Sequence, residues 1–468
     1  MLFSSITFLY YFLPIALVLC LALPKVLRNG AILFTSLVFY GWGEPRYIIF
    51  MVISILVGWV SGLLTERFSG KGKWLSRLPM IVSTTVCLGM LGYFKYADFF
   101  IDNFNAVTGL SIPLLRIALP IGISFYTFQI LSYVVDVYRK EARAQKNIVN
   151  FGAYVTMFPQ LIAGPIVRYR DIAVQLEDRS ITFEGAALGI RRFIIGLSKK
   201  VLIANLLGEL CEIFKASNDK SVLFYWVYAL CLILHIYFDF SGYSDMAIGI
   251  GKVLGFNFCE NFNYPIISKS IAEWWRRWHM SLGTWFRDYL YIPLGGNRVS
   301  TARWILNTLI VWGLTGFWHG ASWNFIAWGL YFALFLMLEK FVIGKALKKI
   351  GVFSHLYVAV VMLISFVIFN GTDMRESFAY IAAMFGAGNT PLVSAEFGYY
   401  MRSYGLLIVA ALIGATPAVK TLVLKAKEHK SLDKIINLLE PLVLMALLVT
   451  VTAFLVDGSF NPFLYFRF

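Results

Sequence analysis

Apolar runs long enough to cross a bilayer recur along this chain from one end to the other. A spanning helix needs about 20 mainly apolar residues. Clear runs of this kind are Leu2 to Leu23, Tyr47 to Leu64, Pro79 to Tyr96, Leu114 to Val137, Val222 to Ile250, Ser322 to Leu338, Leu356 to Phe369, Tyr404 to Pro417 and Ile435 to Val456. The whole pattern predicts roughly eleven transmembrane helices, with re-entrant or interfacial helices between them, in an all-α polytopic membrane protein. The shorter runs are expected to tilt or to be shielded by neighbours. Leu2 to Leu23 has no basic leader before it and no small-residue cleavage site after it, so it reads as a retained span and not a signal peptide.

The polar loops orient these spans. Lys25 and Arg28, then Arg67, Lys71, Lys73 and Arg77, then Arg139, Lys140, Arg143 and Lys146 alternate with loops such as Asp98 to Ser111, which has acids and no base. By the positive-inside rule the basic loops are cytoplasmic and the N-terminus lies outside. Lys340 to Lys349 and Lys420 to Lys434 are basic again, which places Asp457 to Phe468 outside as well.

Asn150 to Trp318 breaks this alternation. Arg168, Arg170, Arg191, Arg192, Lys199, Lys200, Arg276, Arg277, Arg287, Arg298 and Arg303 fall among apolar residues there, and Pro159, Pro165, Pro265 and Pro293 interrupt the helices. Charged, irregular backbone near membrane depth survives only inside protein or around a wet cavity, so the functional core is expected here. The reading is of one transmembrane domain over 1–468, with N-terminal helices in 1–148, a catalytic core in 149–340 and C-terminal helices in 341–468.

Composition agrees with a lipid environment. Hydrophobic residues make up 59% of the 468 positions, charged residues 14%, and mean hydropathy is +0.72, unlike a soluble domain with a charged surface. Aromatic residues reach 17%, enough for lipid-facing positions and two interfacial belts. The net charge of +15 lies in short clusters between apolar runs, a pattern that fits membrane orientation and not nucleic acid. The five cysteines are scattered without a CxxC pair, so neither a disulfide framework nor a metal site is expected.

Only five histidines are candidates for proton chemistry. His429, in KAKEHKSLDK, reads as a solvated loop residue, His355 as an interfacial one, and His235 as a buried helix residue bonded to a neighbouring helix. His319, in LTGFWHGASWNF, stands about sixteen helical residues after Arg303, roughly 24 Å into a hydrocarbon core of about 30 Å. An imidazole at that depth is costly unless partnered or useful, and position alone leaves a structural bond and a catalytic role equally open. His279 lies in EWWRRWHMSLGTWFRDYLYIPLGGNR, which is crowded with Trp and Arg. The segment reads either as an interfacial belt or as a site where Arg276, Arg277 and Arg287 receive an anionic donor through bidentate guanidinium contacts. Asp239, Tyr243 and Asp245, in FDFSGYSDMAIG, are a third polar group, whose two carboxylates read as a proton relay or as partners for arginines of the core, the structural pairing being favoured because buried charges are usually paired.

Four long motifs carry a family resemblance: FPQLIAGPIVRYRDI, FDFSGYSDMAIGIGKVLGFNF, WWRRWHMSLGTWFRDYLYIPLGG and GFWHGASWNFIAWGLY. Together they resemble the membrane-bound O-acyltransferases. The opening MLFSSITFLYYFLPI and the ending SFNPFLYFRF are similar to the branch that serves bacterial alginate O-acetylation. The resemblance implies a ring of helices around a thinned core, with a funnel or tunnel in which a cytoplasmic donor meets an acceptor from the other side. It implies His319 as the catalytic histidine, His279 as the second polar residue of the site, and a location in the bacterial cytoplasmic membrane.

The expected chemistry is transfer of an acetyl group from acetyl-CoA, with no permanently bound cofactor. A neutral His319 takes the hydroxyl proton, while His279 or Asn297 stabilises the oxyanion and Trp318 lines the site. An extracytoplasmic partner transferase is implied, with a polysaccharide as final acceptor. Two alternatives remain at this point: D-alanyl transfer to teichoic acids from a carrier-protein thioester, and a proton-coupled transporter or flippase using His319, His279, Asp239 and Asp245 as a relay. The latter predicts repeated halves, which the sequence does not display.

Overall fold

The computed structural model of the chain describes residues 3–457. The C-terminal segment expected outside therefore lies, except for Asp457, beyond the described residues. Among the described residues every regular element is a helix. Seven helical stretches are long and apolar enough to cross a bilayer: Ile48–Arg67, Lys73–Thr108, Val222–Val253, Trp323–Lys349, Gly351–Asn370, Ala395–Gly414 and Lys430–Val456. The all-α polytopic architecture is as the apolar pattern predicts.

Other apolar runs become shorter pieces. The run from Leu114 holds a non-helical stretch before helix Ile123–Tyr138 begins. Gly122 makes that entry at φ +74°, where a Cβ would also press on the Leu161 carbonyl oxygen. The N-terminal run is a π-helical turn, Phe8–Phe12, leading into helix Leu13–Ala22. Helices enclosed by protein do not need the full hydrocarbon length, so an apolar run can end early when its neighbours satisfy the freed backbone.

The chain divides into two compact units, residues 1–193 with 244–260, and residues 194–243 with 261–468. In the first, helix Ile48–Arg67 packs on helices Lys73–Leu91 and Ile123–Tyr138, and helix Lys25–Gly43 packs on Ile148–Thr156. Its buried ring cluster joins Tyr133 to Phe151 and Tyr169, with centroids 4.6 and 4.9 Å apart.

The second unit is built on one apolar cluster that runs from Ala204 through Phe238, Trp274, Trp278, Trp328 and Phe366 to Ala415. Its tightest feature is the pairing of helices Thr301–His319 and Trp323–Leu338. At the crossing, a Cβ on Gly316 would fall on the Phe325 carbonyl oxygen, and one on Gly329 would fall on that of Trp312. Close backbone approach through small residues is how helices associate where lipid supplies no hydrophobic drive. This crossing fixes the end of the first helix, and with it His319.

Gly329→Leu should therefore cost about 1–3 kcal/mol through overpacking and lower the thermal unfolding midpoint in detergent. Gly313→Leu, where a Cβ meets only a Leu330 methyl at 3.9 Å, should leave the midpoint nearly unchanged.

Candidate active site

Helix Thr301–His319 begins at Ser300, whose side chain accepts the Arg303 backbone N–H, and presents one face to a cavity. Trp304, Thr308, Val311, Trp312 and Thr315 recur at the three- and four-residue spacing of a single helical stripe and line that cavity. The cavity has a volume of about 1070 Å³. Thr308 and Thr315 donate their hydroxyls to the Trp304 and Val311 carbonyls, so they offer the cavity little polarity. His319 continues the same stripe four residues beyond Thr315, about 6 Å further along the axis.

Exposed cations surround the cavity: Lys269, Arg276, Arg287, Lys340 and Lys348. The Lys340 ammonium stands 3.5 Å above the Trp304 ring. Glu339, on the same π-helical turn, Glu339–Ile343, accepts the Ile271 and Ala272 N–H groups at 2.5 and 3.0 Å. A carboxylate on the first turn of helix Ile271–Arg277 satisfies donors the helix leaves open and complements its dipole.

His279 lines the cavity from the junction of helices Ile271–Arg277 and Met280–Phe286. Its backbone is left-handed, φ 43° and ψ 52°, a conformation that costs a non-glycine residue about 1–3 kcal/mol. The segment beside it holds that strain: Met280 N–H donates to the Asn261 carbonyl at 2.9 Å, and Asn263 N–H to the Arg277 carbonyl at 2.9 Å. The ring is only 2% exposed. It meets the Asn261 side chain at 3.0 Å through Nδ1 and the edge of Phe240 at 4.7 Å between centroids. His279 lies outside the seven spanning stretches, and burial moves its imidazole down to about 3, so it is neutral at physiological pH.

His319 is buried in an aromatic shell of Trp318, Trp328 and Phe369, with centroids at 4.9, 5.1 and 5.4 Å. Trp318 links the two histidines, since its ring lies 6.2 Å from that of His279. Trp275 and Trp312, which line the cavity, meet edge to face at 4.8 Å, and Trp275 abuts Trp328 at 5.5 Å. The shell around His319 is thus one aromatic layer behind the cavity wall.

The remaining sequence candidates separate. Arg276 and Arg287 reach the cavity, whereas Arg277 is held by Glu273 at 2.9 Å and by the Asn263 carbonyl at 3.1 Å. Asn297 is exposed, and its side-chain oxygen accepts from Tyr291 at 2.7 Å and Trp304 at 3.0 Å. Tyr243 is buried in the second unit. Asp239 forms a fully buried ion pair with Lys200, and Asp245, in the first unit, pairs with Arg192 at 2.8 Å beside Glu260. Asp245 thus has the arginine partner expected of it, whereas Asp239 is paired with a lysine instead. His235 meets the Ala204 carbonyl at 2.6 Å across helices, and His429 is exposed, as read from their surroundings.

Sequence reasoning missed Asn261, Ser281, Trp275, Trp328 and Glu339. For Asn261 the sequence offers no signal, because it sits alone in a loop with no period. For the tryptophans the signal was present but fits an interfacial belt equally well.

A buried histidine behind an aromatic layer, with a second buried histidine at a cation-rimmed cavity, forms a site suited to proton transfer. Residues 114–371 match the membrane-bound O-acyltransferase family, and both histidines fall in the matched range. The chain belongs to the membrane-bound O-acyltransferase family; it is an O-acyltransferase and a multi-pass bacterial membrane protein. It is 41% identical over 401 residues to the probable alginate O-acetylase AlgI of Azotobacter vinelandii, an alignment covering 84% of this chain and 79% of that protein. The corresponding protein of Pseudomonas putida is 35% identical over the full length of both chains. A peptidoglycan O-acetyltransferase of Helicobacter pylori is 29% identical over all of this chain and 98% of its own length.

Asp239→Ala would leave the Lys200 ammonium buried without this counter-charge, at a cost of about 3–5 kcal/mol. Lys200→Met combined with Asp239→Leu should recover most of that loss. Thermal unfolding of the three proteins in one detergent distinguishes the outcomes.

Proposed function

We propose that this protein moves an acetyl group from acetyl-CoA in the cytoplasm across the membrane for O-acetylation of an extracytoplasmic polysaccharide, through a partner transferase outside the membrane. The observation that carries this reading is the cavity, whose exposed rim is cationic and whose inner end holds His279 one aromatic layer from His319. The rim guanidinium and ammonium groups suit a donor bearing phosphates. Lys340 and Lys348 belong to a basic loop that the positive-inside rule assigns to the cytoplasm, the compartment of a CoA thioester. The names of the alginate and peptidoglycan relatives support a polysaccharide acceptor.

In this mechanism a hydroxyl oxygen attacks the thioester carbonyl while His319 accepts its proton. The new C–O bond forms, the C–S bond breaks, and the departing thiolate takes the proton back to leave free CoA thiol. The developing oxyanion needs a donor. Asn297, exposed and not among the residues that line the cavity, is badly placed for this. The indole N–H of Trp275, which lines the cavity and has no acceptor among the described residues, is a group that can only donate.

The test is transfer of radiolabelled acetyl from acetyl-CoA by purified protein, comparing wild type with His319→Ala and His319→Gln. Loss of about 10²–10⁴-fold in variants that keep their thermal midpoint is expected. Equal rates in all three would remove His319 from the chemistry. Turnover only of a carrier-protein thioester would replace the donor.

A further inference from the structure

The contacts of His279 determine which of its nitrogens carries the proton. The Ser281 backbone N–H, which can only donate, faces the Asn261 side-chain oxygen at 3.4 Å, and the Ser281 hydroxyl approaches the same oxygen at 2.9 Å. The backbone contact assigns the Asn261 amide, since its NH₂ group facing that N–H would set donor against donor, whereas the Ser281 hydroxyl, which also lies 3.5 Å from His279 Nδ1, can donate or accept. The group that His279 Nδ1 meets at 3.0 Å is therefore an acceptor, and Nδ1 must carry the hydrogen. In a neutral imidazole the other nitrogen then has a lone pair and no hydrogen. That nitrogen, Nε2, is buried and has no hydrogen-bond partner among the described residues, on a side chain that lines the cavity.

A neutral ring in this tautomer cannot donate to an oxyanion through Nε2. It can only receive. A thioester donor of the CoA type, or a carrier thioester with the same phosphopantetheine arm, carries an amide N–H two carbons from its sulfur. We infer that Asn261, seconded by Ser281, locks His279 with its Nε2 lone pair toward the inner end of the cavity, where it accepts that amide N–H and sets the thioester beside the His319 shell. His279 then touches the donor, and Asn261 is the positioning residue that acts through it. The left-handed backbone of His279 serves the same end, because the Asn261 main-chain bond to Met280 and the side-chain bond to His279 fix both ends of the turn. This inference rests on the proposed donor class, and its test is arranged to fail separately from that proposal.

The probes are a non-transferable thioether analogue of acetyl-CoA, with a methylene between sulfur and carbonyl, and the same compound with the amide nearest sulfur replaced by an ester. Binding to the detergent-purified full chain is measured by calorimetry. Wild type should bind the amide about tenfold more tightly than the ester, the scale of one good hydrogen bond in a dry site. His279→Ala and Asn261→Ala should bind both equally. Asn261→Asp, which keeps an acceptor for Nδ1–H, should restore the preference, an outcome that a purely structural Asn261 would not produce.

Nitrogen-15 spectra of histidine-labelled protein, with His279→Gln to assign the signal, should show an unprotonated Nε2. An unprotonated Nδ1, or equal binding of the two analogues by wild type, would overturn the inference. Discrimination that persists in a wild type unable to transfer acetyl would sustain it and sink the proposed function instead.

Discussion

Hydrocarbon has no partner to offer a lysine ammonium, and the second unit answers by burying Lys200 directly against Asp239. Water would screen such a pair and make it nearly dispensable. In a lipid-enclosed core, either member alone is a charge with nowhere to go. The same rule runs through the rest of the molecule. Asn29 in the first unit is buried only because it donates to Asn150 and to the Leu176 carbonyl while accepting from Arg179. His235 is admitted because the Ala204 carbonyl meets it. These polar groups enter the protein in matched sets, in contrast to the buried His279 Nε2 and Trp275 N–H at the cavity.

The site follows from that requirement. A site that buries a histidine holds it in its neutral form, because burial penalises the imidazolium. Trp318 stands between the two histidines, its ring 6.2 Å from that of His279 and 4.9 Å from that of His319. The cations stay at the rim, where they remain hydrated. Exposed charge at the rim and buried histidines are thus kept apart, with the helical stripe from Trp304 to Thr315 lining the cavity and His319 continuing it.

Much of this arrangement was legible as pattern and some was not. The apolar runs at Tyr47, Val222, Leu356 and Ile435 became spanning helices, because about 20 apolar residues in lipid leave the backbone no other choice. The run from Leu114 misled, since Leu114 and Leu115 lie exposed in a non-helical segment whose Leu115 and Arg116 N–H groups donate to the Asp98 carboxylate, and such a segment has the same composition as a helix. The pairing of Asp239 and Asp245 was readable as a need for cations, but not that one would find Lys200 and the other Arg192. Arg276 and Arg277 are adjacent and chemically identical, and only the turn of a short helix sends one to the cavity and the other to Glu273. The burial of His319 follows from its place at the end of an apolar helical run. Asn261 was not legible, because its role depends on a contact eighteen positions away, with no period to announce it.

The π-helical turn Glu339–Ile343 interrupts an otherwise continuous helical stretch, Trp323–Lys349, between the shell of His319 and the basic rim. Such a turn accommodates one residue more than α-geometry would, and each residue in a helix is offset by about 100°. Removing a single amino acid here would let the stretch relax to a regular helix and rotate Leu347 and Lys348 away from the cavity they line, while every side chain upstream kept its place. Length, and not only residue identity, is consequently a heritable variable at this point. Related chains that gain or lose one residue between the shell and the rim would inherit the same reactive interior with a differently charged doorway.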